Sequence, residues 1–213
     1  MVRRGVPVRV DKWREWLLGF AVLGCTALPV YAVDLVPFGG FRFGGDVATQ
    51  PTGSSTPTSL SINAGASYGG IIDIPLYDPR RLEIYYSRQP THLSAGLTPQ
   101  AGSDVTVSVL HLGLADALPG DDPRLTWLLI GSAGATELSY SGGGNVTRFG
   151  IGLGGAVVWM PTPHFGIRGD LRALITFTGN GSGVVACSGG CTAAFTSSVL
   201  AQGEATIGLV ARF

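Results

Sequence analysis

Counting back by twos from Phe213 gives Ala211, Leu209, Ile207, Ala205, Gly203, Ala201 and Val199, all apolar or small. The alternate positions Arg212, Val210, Gly208, Thr206, Glu204, Gln202 and Leu200 hold every charge of the stretch. Successive side chains of a strand point to opposite faces, so this alternation over 198–213 predicts a β-strand. It is longer than an ordinary soluble strand and long enough to cross a hydrocarbon layer, which takes roughly 9–11 tilted residues. An apolar outside with a polar inside is the wall of a membrane barrel.

Seven further segments alternate in the same way. In 34–46, Leu35, Gly39, Phe41 and Phe43 oppose Asp34, Gly40 and Arg42. In 59–74, Leu60, Ile62, Ala64, Ala66 and Tyr68 form a greasy face against Ser59, Ser61, Asn63, Gly65 and Ser67. The third strand sets Leu82, Ile84 and Tyr86 against Glu83, Tyr85 and Ser87 and ends near Gln89–Pro90. The fourth, 104–116, is apolar on both parities, and its lipid-facing side stays open. A fifth strand is expected over 125–137. In the sixth, Phe149, Ile151, Leu153, Val157 and Trp159 alternate with Gly150, Gly152, Gly154 and Ala156, which leaves room inside for bulky neighbours. The seventh, 165–177, places Arg168, Asp170 and Arg172 on one side.

Between these segments, 50–57, 91–103, 137–147 and 178–194 read as long polar loops, and 75–80, 118–124 and 161–164 as tight turns. Long and short connections alternate, as in outer-membrane barrels, where the long loops are extracellular and an even strand count returns both termini to the periplasm. The expected fold is all-β: an eight-stranded antiparallel up-and-down transmembrane β-barrel. Tyr68, Trp127, Phe149, Trp159, Phe165, Phe177 and Phe213 fall where the membrane interfaces would be, a placement a soluble sandwich does not need.

The first residues change the picture by adding export. Arg3, Arg4, Arg9, Lys12 and Arg14 precede an apolar run over 16–30, and Val30-Tyr31-Ala32 offers small residues for cleavage. That order is a signal peptide, so 1–32 is expected to be removed and 33–213 to form the barrel in the outer membrane. The remaining chain carries nine Arg, no Lys and 12 acidic residues. This weakly acidic balance argues against nucleic acid as a partner.

The candidate chemistry lies on the inward parity, at Arg42, Glu83, Arg168, Asp170, Arg172, Glu204 and Arg212. In an eight-stranded barrel, whose interior side chains can just fill, these groups form either an internal ion-pair network or the lining of a narrow ion path. A hydrolase would need a nucleophile beside a base, and His92, His111 and His164 show no such spacing. No metal-ligand spacing appears, and the glycines at 150–155 follow strand parity rather than opening a helix as a phosphate loop does. No cofactor is expected. Cys187 and Cys191 lie in one exported loop, where an oxidising compartment favours a disulfide clasp; a redox-active pair would need a basic neighbour or a helix start to activate a thiol.

Taken together, PFGGFRFGG, LEIYYSRQ, FGIRGDLR, the cysteine pair of the last loop and the terminal GEATIGLVARF resemble the small outer-membrane barrels of the OmpA-like, Opa-like superfamily. The terminal pattern of Ile207, Leu209, Ala211 and Phe213 also resembles the signal that hands such chains to their assembly machinery. The resemblance implies outer-membrane lipid and lipopolysaccharide as surroundings, periplasmic chaperones and the assembly machinery as partners, and a monomer. Phe213 ends the barrel without a peptidoglycan-binding domain, so wall anchoring is not expected. The leading expectation is a non-enzymatic barrel with a structural or surface-interaction role, its outer loops forming the binding surface. The alternatives are a small ion or solute pore and a lipid-modifying barrel enzyme. A surface ligand is not legible.

Overall fold

The computed structural model describes residues 32–51, 58–95, 98–140, 145–178, 184–187, 191–195 and 199–213. The expected signal peptide lies outside the described residues.

Twelve strands form one antiparallel sheet: β1 (Asp34–Gly44), β2 (Asp46–Pro51), β3 (Thr58–Ile62), β4 (Gly65–Tyr77), β5 (Arg80–Ala95), β6 (Thr98–Leu118), β7 (Leu125–Tyr140), β8 (Asn145–Trp159), β9 (Phe165–Phe177), β10 (Val184–Cys187), β11 (Cys191–Phe195) and β12 (Val199–Arg212). Eight of them, β1, β4, β5, β6, β7, β8, β9 and β12, pair in a ring that closes through β1–β12 and β5–β6. Closure leaves no unpaired edge along this wall. No helix occurs among the described residues.

The other four strands continue the wall at the loop end. There β2 pairs with β3 and β11, β11 with β10, and β3 with β5. Gly44 and Gly45 have φ of 81° and 116°, a left-handed bend that only glycine adopts freely, and the chain turns there from β1 into β2.

Several sequence expectations are corrected at this end. Residues 91–103 are not a long loop, because β5 runs to Ala95 and β6 begins at Thr98. Likewise β7 continues to Tyr140 and β8 begins at Asn145, and β10 and β11 form a hairpin inside the expected 178–194 loop. The physical reason is common to all three. These stretches are rich in Gly, Ser, Thr and Pro and show no sustained apolar–polar alternation, while the hydrogen-bond ladder continues through them. Ile62 was expected on the outer face and is instead buried inside, because the strand breaks at Asn63–Ala64 and its parity slips.

Along the wall proper, alternation sets the faces. Outward positions such as Leu110, Leu112, Leu129, Leu153, Leu171, Ile207 and Leu209 are exposed apolar residues. On β6 it is Val105, Val107, Val109, His111 and Ala115 that point inward, which settles the face that the sequence left open. Outward aromatics frame this band: Trp127, Trp159, Phe165 and Phe213 towards the turn end, and Phe43, Tyr68, Phe149 and Phe177 towards the loop end. On β8 ten residues separate Phe149 from Trp159; at a rise of roughly 3.3 Å and a tilt of about 40°, that is about 25 Å along the axis, the height of a membrane barrel's apolar band.

The inside is not uniformly polar. Val36, Ala115, Leu128, Val158 and Val210 fill the lumen near the turns, and Ile62, Val105, Leu138, Leu174 and Leu200 fill it near the loops. Polar and charged side chains occupy the length between.

Candidate functional site

The buried polar length is built from inward positions of β1, β4, β5, β9 and β12. Alternation on β9 places Arg168, Asp170 and Arg172 on one inner face, and antiparallel register sets Arg172 beside Glu204 of β12, which in turn lies beside Arg42 of β1. β4 and β5 bring Asp73 opposite Glu83. Two groups result.

In the first, Arg168 and Arg172 converge on shared carboxylates. Arg168 donates through Nη2 to Glu83 at 2.7 Å and to Asp170 at 2.8 Å, and through Nη1 to Asp73. Arg172 donates to both Glu83 oxygens and, at 2.6 Å, to Asp170. In the second, the Arg42 Nη2 donates to Ser87 at 2.7 Å and to Glu204 at 3.3 Å, while the Tyr85 hydroxyl and Ser87 also donate to Glu204. Tyr85 joins the two groups: its ring stacks on Phe38 with centroids 5.7 Å apart, and the Arg172 guanidinium lies 4.3 Å over its centroid. No side chain in either set of ion pairs is more than 3% exposed. Charges so far from water hold together only through mutual pairing and hydrogen bonds.

A third cluster sits at the turn end. Arg212 grips both oxygens of Asp34 at 2.7 Å, and Arg81 donates to Asp34 at 2.9 Å. It ties the start of β1, the start of β5 and the end of β12 together. Across the three clusters the five arginines Arg42, Arg81, Arg168, Arg172 and Arg212 face five carboxylates, Asp34, Asp73, Glu83, Asp170 and Glu204. Equal numbers leave no ring of one sign such as ion-selective pores use.

The glycines of β8 make room for this arrangement. A Cβ on Gly152 would lie 2.5 Å from the Ser132 Oγ and 3.3 Å from the His111 Nδ1, and one on Gly154 would lie 2.9 Å from the Arg172 Cγ. His111 packs into that space and meets the Ser132 hydroxyl at 3.2 Å. This is a serine beside a histidine, and His111 is buried inside the lumen. Among the described residues no group of His, Cys, Asp or Glu has the arrangement of a metal site.

With this geometry in hand, three solved structures are similar. OprG from Pseudomonas aeruginosa aligns with a TM-score of 0.57 at 13% identity, covering 86% of this chain and 97% of that one. The outer membrane protein AlkL, solved in lipid bilayers, aligns at 0.55 and 8% identity, covering 100% and 97%. Neisserial surface protein A aligns at 0.51 and 12% identity, covering 85% and 97%. The chain has the fold of the small outer-membrane β-barrels. No family model matches the sequence, and a search of curated proteins finds no match.

Within this outer-membrane barrel fold, Arg42, Glu83, Arg168, Asp170, Arg172 and Glu204 come together in the lumen, whereas Arg212 belongs to the separate cluster on Asp34. Ile207, Leu209 and Phe213 point outward and are exposed, and Ala211 is half-buried. Cys187 and Cys191 face each other as the last register pair of the β10–β11 hairpin. Sequence reasoning left Asp73, Asp34, Arg81, Tyr85 and Ser87 out of the network. The signal was present for most of them: Asp34 shares Arg42's parity, Tyr85 and Ser87 share Glu83's, and the polar parity of Ser67 reaches Asp73 three steps of two later.

Proposed function

We propose that the protein is an outer-membrane barrel with a closed lumen, which acts at the cell surface through the loops and strand extensions of its rim rather than as a pore or an enzyme. The reading rests on the luminal network: Arg168, Arg172, Glu83, Asp73 and Asp170 are bonded across the interior from β4, β5 and β9, each side chain at most 2% exposed. Apolar side chains fill the lumen on both sides of it. A small barrel filled in this way is a packed core. In this reading the turns and both termini are periplasmic, the β2–β3, β5–β6 and β10–β11 hairpins project outward, and a Cys187–Cys191 disulfide fixes the tip of the last one. The monomer sits among phospholipid and lipopolysaccharide after delivery by periplasmic chaperones and the barrel assembly machinery. Single-channel recording of the refolded 33–213 chain, verified by heat-modifiable migration, tests it. Silence is the expected result. Discrete openings that change when Arg172 or Glu83 is replaced would overturn it in favour of a pore.

A further inference from the structure

The outer wall is not smooth where the first and last strands meet. Pro37 and Gly39 of β1, Ile207 and Leu209 of β12 and Ile167 of β9 rim a groove of about 450 Å³ whose floor is Phe38 and Gly208. Two features of the sequence make it. Pro37 has no amide hydrogen to donate, and the β1–β12 pairing skips Val36 and Pro37 between Leu35↔Ala211 and Phe38↔Gly208, the register being the same on both sides. Gly39 lacks a side chain on the outer face, and a Cβ built there would touch nothing within 4 Å.

Its depth in the wall is fixed by the aromatic frame. Ile167 lies two residues above Phe165, and Leu209 and Ile207 lie four and six residues before Phe213. With the rise and tilt of barrel strands, the groove runs from about 5 to about 15 Å inside the turn-end girdle, within one half of the apolar band. No charged or hydrogen-bonding side chain lines it. Seven residues form it, against the roughly 20–30 a side of a stable protein interface. A protein partner or a second copy is thus too large an occupant, while an open, wholly apolar trough suits an alkyl chain lying along it.

We infer that this groove is a binding site for one acyl chain of a phospholipid from the leaflet at the turn end, the periplasmic leaflet under the orientation proposed above. The inference rests on that reading for which leaflet supplies the lipid. A straight alkyl chain lies along the trough between Leu209 and Gly39 and packs against Phe38 and Gly208, so the β1–β12 seam is sealed by lipid where the protein ladder is interrupted.

Native mass spectrometry tests it on the 33–213 barrel reconstituted in nanodiscs of palmitoyl-oleoyl phosphatidylethanolamine and phosphatidylglycerol, with folding verified by heat-modifiable migration. The wild-type barrel is expected to emerge with one phospholipid attached. Gly39→Leu fills the trough and should lose that adduct; Leu209→Ala removes one wall without adding bulk and should weaken it. Leu129→Ala, on the outer face of β7 across the barrel from this seam, should leave it unchanged. Equal lipid retention by wild type, Gly39→Leu and Leu209→Ala would overturn the inference, as would a dimer in place of the lipid adduct. Failure of every variant to enter the nanodiscs would instead strike at the membrane-barrel reading itself.

Discussion

Among the described residues Glu204 is the one carboxylate paired with Arg42, and both side chains are 0% exposed. Replacing Glu204 by Gln keeps the volume and removes the charge. The Arg42 guanidinium then keeps its bond to the Ser87 hydroxyl at 2.7 Å but faces a neutral amide in place of its counter-charge, and Tyr85 and Ser87 lose the carboxylate they both donate to. Breaking a buried pair from one side costs about 3–5 kcal/mol, because the abandoned charge stays out of water. With a Ser87 bond left and an amide oxygen still able to accept from Tyr85, the lower end applies, about 3 kcal/mol. At a urea slope of about 1–3 kcal/mol per M, the unfolding midpoint falls by about 1 M or more. The assay is reversible urea unfolding in lipid vesicles, read by tryptophan fluorescence and by heat-modifiable migration. The partner experiment removes both charges, Arg42→Met with Glu204→Gln, and should return to within about 1 kcal/mol of wild type, since a buried pair replaced as a whole leaves no orphan. An unchanged midpoint for Glu204→Gln, or a double variant as unstable as the sum of the singles, would refute the argument that the lumen is a desolvated ion-pair core.

Three other outcomes follow from different parts of the wall. Asp34→Asn takes the shared partner from Arg212 and Arg81, which are themselves partly exposed, and should cost about 1–2 kcal/mol in the same unfolding assay, less at high salt. Gly152→Val forces a side chain into the space of Ser132 and His111; overpacking of this kind costs about 1–3 kcal/mol, and adding Ser132→Ala should recover part of it. Leu112 is 56% exposed on the outer face of β6, and Leu112→Arg should lower stability in bilayers by about 2–4 kcal/mol if that face meets lipid near the midplane; no change would place β6 outside the hydrocarbon.

Much of this wall could be read from the chain because a membrane imposes contrast. Where strands have lipid on one side and buried polar groups on the other, as in β9 and β12, period two is unambiguous and Arg168, Asp170, Arg172 and Glu204 fall on one parity. The reading weakened wherever that contrast fails. On β6 the inward Val105, Val107 and Val109 pack into the apolar loop-end filling, so both faces look alike and parity says nothing about which is outside. On β5 and β6 beyond Thr91 the sequence is mostly small and polar, with Pro99 and Gly102 among it, and a continuing ladder passed for a loop. Ile62 shows the third failure: a break at Asn63–Ala64 reverses the faces within one apparently regular run.

The site was legible as a set of like-sided charges but not as a circuit, and the reason is geometric. Parity reports which face a residue takes; it does not report which strands a closed wall brings across from one another. Arg168 reaches Asp73 and Glu83, 95 and 85 positions away in sequence, because closure places β4 and β5 across the lumen from β9. Arg212 shares the inward parity of Glu204, yet it ends on Asp34, because it lies eight residues nearer the turn end, where Asp34 in turn stands opposite Asp73. The pairing of these charges bears on function as much as on folding. A hydrated interior with free charges could carry ions from one end to the other, whereas charges already bonded to one another and packed among apolar side chains offer a permeating ion no step at which lost hydration is replaced. The same packing that makes the Arg42–Glu204 pair costly to break therefore supports the proposal that this barrel acts at its rim.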